Sequence, residues 1–204
     1  MISTYVELQS AVANWLDRTD SNDRIPEFIA LAEAKFNRMV RAPDMVTKDD
    51  AFSITGQYVA HPGATFLEVI RFALLTSPVR TLEYLTPVEM SEARWSRTSS
   101  GKPIYFTVVG SNFEFFPTPD QTYTGSLVYY TQITGLSTTS PNWLLTSHPD
   151  IYLFGALLEA APYEHDTEKT QIWSSRLQTA LDQLEKMNDR KRIGTTPSPR
   201  FRAF

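Results

Sequence analysis

The chain of 204 residues contains no cysteine. That excludes disulfides, thiolate zinc sites and a cysteine nucleophile, and leaves the redox compartment open. The sequence also lacks a Gly-rich phosphate loop, a zinc-protease helix motif and a Gly-x-Ser-x-Gly elbow, so no catalytic residue is expected. Long apolar runs are missing as well. The densest, Ile151 to Leu158, is ended by Glu159, far short of the ~20 apolar residues a spanning helix needs. Met1 to Gln9 has no basic stretch followed by an apolar run, so it does not read as a signal peptide. The expectation is a soluble protein made in the cytoplasm, with no membrane contact.

Histidine is scarce: His61, His148 and His165 are the only three. His61 precedes Pro62 and Gly63 and reads as a turn. His148 precedes Pro149 and reads as a helix cap. Glu164-His165-Asp166 invites a metal, but adjacent ligands with no distant partner make a poor site. Acids ahead of a helix N-terminus explain the stretch as well. Asp49 and Asp50 are adjacent, whereas catalytic carboxylates face each other across a cleft, so a polar edge or turn is the better reading. The aromatics Phe113, Phe115, Phe116, Tyr123, Tyr129 and Tyr130 have only Lys102 nearby. A base-stacking platform comes with several cations, so a β core or a subunit contact is expected instead. No cofactor and no metal are implied.

Charge is unevenly placed. The formal net charge is -4, but from Arg190 onward five basic residues meet no acid. Residues 1–189 therefore carry 14 basic and 23 acidic groups, a formal charge of -9. An acidic body with a basic tail fits a tail that docks on something acidic, or else a solvated end.

What the sequence does have is two kinds of periodicity. Thr4 and Glu7 have capping-box spacing, and Leu8, Val12, Trp15 and Leu16 follow on one helical face. Pro26 suits a first turn, and Ile29, Ala32, Phe36 and Met39 form a second stripe before Pro43. From Met45 to Thr134 the texture becomes Val, Ile, Phe, Tyr and Thr broken by Gly and Pro. Expected strands are 51–54, 65–74, 80–84, 104–109, 112–116 and 126–133, with a hairpin at Gly110-Ser111. Thr86, Pro87 and Glu89 announce one short helix among them. Helical period returns after Ser140. Pro149 opens a helix that Pro162 should end or kink. The longest helix, 167 to about 190, carries Trp173, Leu177, Ala180, Leu184 and Met187 at 3.5-residue spacing, a seam for helix packing or a subunit interface. Gly194, Pro197 and Pro199 forbid regular structure in the tail.

The expected fold class is α+β. A helical bundle is formed from the N- and C-terminal parts, residues 1–43 and 141–193, with a β-rich insertion at 44–140 and an extended C-terminal arm at 194–204.

Many weak matches point the same way. They are Tyr5, Leu8, Trp15 and Leu16; Ile25-Pro26-Glu27-Phe28-Ile29 with Ala32-Glu33 and Asn37-Arg38; Leu85-Thr86-Pro87; Gly101-Lys102-Pro103; Pro117-Thr118-Pro119-Asp120; Asn142-Trp143-Leu144-Leu145; and Pro149 to Ala160. Together, from Thr4 to about Leu184, they resemble the podovirus-type phage head-to-tail connector adaptor proteins (tail adaptor or head completion family). The resemblance implies a structural virion protein, not an enzyme, placed in the neck between head and tail and assembled in the host cytoplasm. It implies a dodecameric ring between the portal protein and a tail or nozzle protein, with DNA passing through the lumen without sequence-specific binding. It also implies a C-terminal portal-docking arm. The residues placed there are Arg190, Lys191, Arg192, Arg200, Phe201, Arg202 and Phe204, with Trp173, Leu177 and Leu184 as the packing or interface stripe. No lumen residue can be carried over singly. The alternative is a ligand- or carbohydrate-binding structural module of the tail, which requires a deep pocket lined by the aromatics of the β insert. A nucleic-acid-binding regulator comes third, and the acidic body argues against it.

Overall fold

A computed structural model describes residues 2–17, 22–96, 100–164 and 167–193. It is mixed α+β. Among the described residues there are six α-helices and two four-stranded sheets. The chain divides into two compact units, residues 1–44 with 133–204, and residues 45–132.

The first unit is helical. Its elements are α1 (Tyr5–Leu16), α2 (Ile25–Met39), α4 (Trp143–Ser147), α5 (Pro149–Glu164) and α6 (Thr167–Ile193). Local chemistry sets their starts. Thr4 accepts the Glu7 N–H while the Glu7 carboxylate receives the Thr4 N–H, satisfying two donors a helix start leaves orphaned. The Ser3 N–H and hydroxyl, and after them the Thr4 N–H, hold the Glu7 carboxyl below its ordinary range. Asn142 caps α4 through the Leu145 N–H.

α5 is the centre of this unit. Ile151, Tyr152, Leu153, Ala156, Leu157, Ala160 and Ala161 are all buried, and the helix packs against α1, α2, α4 and α6. A helix apolar all round has to be enclosed. Pro162 sits in its last turn, and the helix continues only to Glu164. Gly155 is required by a close approach. A Cβ there would lie 2.5 Å from the Phe36 ring, which is fully buried and has nowhere to turn.

A polar network joins the unit's two chain segments. Asn37 of α2 accepts the Ile133 N–H and Glu33 accepts the Leu136 N–H, each at 2.7 Å. The Tyr152 hydroxyl donates to Glu33, and Asn142 donates to that hydroxyl and to the Thr134 carbonyl. Burial pushes the Tyr152 hydroxyl well above its ordinary range. Burial likewise raises Glu33, outweighing the Leu136 N–H and the Tyr152 hydroxyl, which favour the charge.

The second unit is a two-sheet β structure with one helix. Its strands are β1 (Val46–Ile54), β2 (Tyr58–Ala60), β3 (Phe66–Leu74), β4 (Arg80–Thr81), β5 (Glu83–Tyr84), β6 (Tyr105–Val109), β7 (Asn112–Phe116) and β8 (Tyr123–Thr131), with α3 at Pro87–Ser96. One sheet has the order β1-β8-β3-β4, the other β2-β7-β6-β5. The single strand expected over 80–84 is in fact two. The chain leaves β4 in the first sheet, passes through buried Leu82, whose N–H donates to the Phe72 carbonyl, and enters β5 in the second. β2 was not anticipated, and β1 and β8 start earlier than expected, at Val46 and Tyr123. Between the sheets lies an aromatic core centred on Phe72, with ring centroids 5.4–5.5 Å from Phe52, Phe106, Phe113 and Phe115 in edge-to-face contact. Gly125 of β8 admits that ring, since a Cβ there would lie 2.7 Å from it.

Two expected outcomes follow for the helical unit. Gly155→Ala gains about 1 kcal/mol of helix propensity but forces the enclosed Phe36 ring to shift, which costs about 1–3 kcal/mol. A net loss is expected, read as a lower denaturant midpoint at unchanged slope; a more stable variant would mean that Phe36 has room. Glu33 gives a pH dependence. Its folded pKa lies above the ordinary 4.5, so the stability it supplies is complete below that value and is lost as pH rises through the folded pKa. Glu33→Gln keeps an acceptor for Leu136 and never ionises. The melting temperature of the variant minus that of the native chain should therefore rise as pH increases from below 4.5 through the raised folded pKa. A flat or falling difference would refute this account.

Candidate assembly surfaces

The groups that first suggest chemistry serve structure. Asp49 and Asp50 sit in β1, an edge strand, at a bulge between Asp49 and Phe52. Asp49 accepts the Ala51 N–H that the bulge removes from the ladder. Asp50 is held below its ordinary range, chiefly by Lys48 at 2.6 Å and then by the Ser126 hydroxyl. The His61 ring accepts the Gly63 N–H in a turn and stacks on Phe66 at 4.6 Å. The His148 N–H donates to the Leu144 carbonyl at the end of α4. His165 and Asp166 lie outside the described residues. No group of three or more His, Asp or Glu able to hold a metal occurs among the described residues, and no helix there is long and apolar enough to cross a membrane. Phe113, Phe115, Phe116, Tyr123 and Tyr129 are buried, so these five aromatics serve the interior of the β unit.

The surfaces are more informative. On the helical unit, Trp15 of α1, Phe154 of α5 and Trp173 of α6 form a three-ring cluster with centroids 5.4–6.3 Å apart. The Arg176 guanidinium lies 5.6 Å from the Phe154 ring centroid and 5.8 Å from that of Trp173. Trp15 remains 45% exposed, although its spacing suggested the core face. Further along α6, Leu177, Ala180 and Leu184 are buried, but Met187 is 44% exposed and Asn188 takes its place at 4%. A strict 3.5-residue seam drifts off a straight α-helix of 3.6 residues per turn, and after three turns the buried position has moved on by one. At the end of α2 the C-cap Val40, whose backbone is already extended, is buried instead of Met39. A cleft of about 330 Å3 lies between these helices, lined by Met39, Arg41, Asp182, Glu185 and Asn188, among others.

Of the residues assigned to a docking arm, Arg190 and Lys191 stand in the last turns of α6. Lys191 forms an ion pair with Asp44 at 2.9 Å. The helix includes residue 192; Arg200, Phe201, Arg202 and Phe204 lie outside the described residues.

On the β unit, α3 is fastened to the outer face of the second sheet. Thr86 and Glu89 form the expected capping box. Arg94 then donates to Glu114 at 2.6 Å and to the Phe115 carbonyl at 2.7 Å, with its guanidinium over Phe116. This places the opposite face of the helix outward, where Val88 is 69% and Trp95 84% exposed. Elsewhere on the unit the sandwich has an opening. β4 pairs only with Ala73 and Leu74, and β5 only with Tyr105 and Phe106. Among the described residues no strand covers that side of β3 over residues 66–71. The resulting groove, about 530 Å3, is lined by Val69, Arg71, Phe72, Leu82, Tyr84 and Val108, among others. Sequence reasoning missed Arg94, Glu114, Trp95 and the groove, because each depends on pairing distant in sequence. An apolar Trp next to Arg94 was the one local signal.

Scaffold-like interiors, aromatic patches left on the surface and acids engaged structurally describe a protein built to contact others. A family model for the SU10 adaptor protein matches residues 3–200 of the 204. The chain belongs to the SU10 adaptor protein family. The match agrees with a phage head-to-tail adaptor, and the role of this adaptor is that of a structural component of the virion. Among curated proteins, none matches the chain.

The α6 stripe separates packing from display. Leu177→Ala should cost about 2–5 kcal/mol, the range for emptying a buried leucine site. Met187→Ala should stay within about 0.5 kcal/mol. Paired thermal and denaturant melts decide; equal losses would mean that the seam includes residue 187 after all.

Proposed function

We propose that this adaptor is one subunit of a ring, dodecameric by family resemblance, seated between the portal protein and a tail or nozzle protein, with DNA passing through its lumen. The observation that carries the reading is the match of nearly the whole chain to an adaptor family. In this reading the helical unit is the bundle, the β unit is an insertion in it, and residues 194–204 are the arm that docks on the portal. Gly194, Pro197 and Pro199 favour an extended path. Phe201 and Phe204 supply apolar anchors, and Arg200 and Arg202 pair with carboxylates. The eleven residues reach at most about 34 Å at ~3.1 Å each. The formal charge of -9 on residues 1–189 suits a lumen that must let a polyanion slide, because a belt of Lys or Arg would bind phosphate. The same charge keeps free subunits apart until a portal collects them. No catalytic step and no cofactor enter this function, and assembly takes place in the host cytoplasm.

Removal of residues 194–204 leaves α6 and its Lys191–Asp44 pair whole. The truncated chain should melt like the full one, sediment as a monomer, and fail to co-sediment with the portal. Salt should weaken binding of the full chain only in part, because the two Phe contribute a salt-insensitive share. Equal portal binding by the truncated chain would move docking to the helical unit. A stable ring formed without portal would overturn the assembly order.

A further inference from the structure

The β unit carries two features that its own fold does not use. One is the outward face of α3, where Val88, Glu92 and Trp95 recur at i, i+4 and i+7 and so lie on one side of the helix. A tryptophan 84% exposed gives up a large apolar surface to water, and interface hot spots are enriched in Trp, Tyr and Arg. The other is the open groove between β3 and the β5–β6 edge, whose floor reaches Phe72 and Phe106 of the core. Along Phe66–Phe72 it is roughly 20 Å long at ~3.3 Å per residue. The ten residues of α3 span about 15 Å at ~1.5 Å each, so the helix fits its length.

Within the chain α3 packs on β6 and β7. Arg94 fastens α3 to the outer face of the second sheet through Glu114, the Phe115 carbonyl and Phe116. The groove opens at the seam between the sheets. Of the two charged residues in the groove lining, Glu68 is engaged within the chain and Arg71 is left to meet a carboxylate. Arg71 lines the groove and Glu92 stands between Val88 and Trp95, and neither has an ion-pair partner among the described residues.

We propose that α3 of one copy lies in the β3–β6 groove of the next copy, anchored by Trp95 and Val88 and aligned by Glu92 against Arg71. Different patches of the same unit then face each other, a head-to-tail contact that generates a ring when its rotation closes. The mode is a helix laid in an apolar groove. This inference rests on the ring reading and gives it an interface.

The absence of cysteine makes the test clean. Glu92→Cys and Arg71→Cys are introduced together into the full chain, and assembled particles are treated with a short bismaleimide cross-linker. A covalent ladder of adaptor multiples is expected from the double variant and from neither single one. Trp95→Ala should melt like the native chain and lower adaptor incorporation into particles at least tenfold. Four results would overturn the proposal. Rings seen by electron microscopy without a ladder would mean that copies meet elsewhere, with the ring reading intact. A cross-link from residue 71 to another virion protein would give the groove to that partner. A cross-linked monomer would mean that α3 reaches its own groove. Absence of any ring would remove the ring reading and this contact together.

Discussion

Two backbone donors decide whether the helical unit closes. The chain leaves this unit after Asp44 and returns at Ile133, and the returning segment has no helix or strand to satisfy its N–H groups. Asn37 and Glu33, one turn apart on α2, receive Ile133 and Leu136. The same Glu33 oxygen takes the Tyr152 hydroxyl from α5, and Asn142 ties that hydroxyl to the start of α4. One carboxylate thus holds both ends of an interrupted unit. Its burial disfavours the charge, so the network is held at some cost in ionisation energy. Losing it would leave buried N–H and O–H groups unmet, which costs more than an ordinary hydrogen bond supplies.

Each unit solves its packing with the same device, a glycine facing a phenylalanine. Gly155 lets Phe36 of α2 approach α5, and Gly125 lets the Phe72 ring lie against β8. In both places the ring is fully buried, so the glycine is required by the space and not by a turn. The Phe36 ring then meets Tyr152 edge to face at 5.4 Å, which ties this contact to the polar network. Phe72 does the equivalent in the β unit, where four other phenylalanines converge on it.

Features encoded within a few residues were legible in the sequence. The capping boxes at Thr4–Glu7 and Thr86–Glu89, the Gly110-Ser111 hairpin, the long last helix and the change of texture from helix to strand are all local. What was not legible depends on partners far along the chain. The crossing at Leu82 exists because β3 and β6 offer edges to two short strands. The exchange of Met187 for Asn188 reflects cumulative drift of a long helix, invisible in any single turn. Trp15 fits an apolar stripe yet is half exposed, because α5 and α6 already fill the space beneath it. Function was legible chiefly as family pattern. The surfaces were not, since the open flank of β3 and the outward face of α3 depend on which edges remain unpaired after folding.

The distribution of charge and apolar surface bears on how copies of the chain repel and attract one another. A body at -9 repels its copies over about a Debye length, ~8–10 Å in physiological salt. Attraction between copies must therefore be short-ranged, and buried apolar area meets that condition because it acts only on contact. Most of the described aromatic residues are buried or partly buried, and the exposed ones, Trp15, Tyr58, Tyr84, Trp95 and Tyr163, sit singly or in small clusters. Patches of that size do not drive indiscriminate aggregation. In the proposed ring, several acting together would add their contributions, since each subunit would be held at two faces rather than one. In the proposed ring, weak pairwise contact with strong closed contact would keep monomers free until a template gathers them.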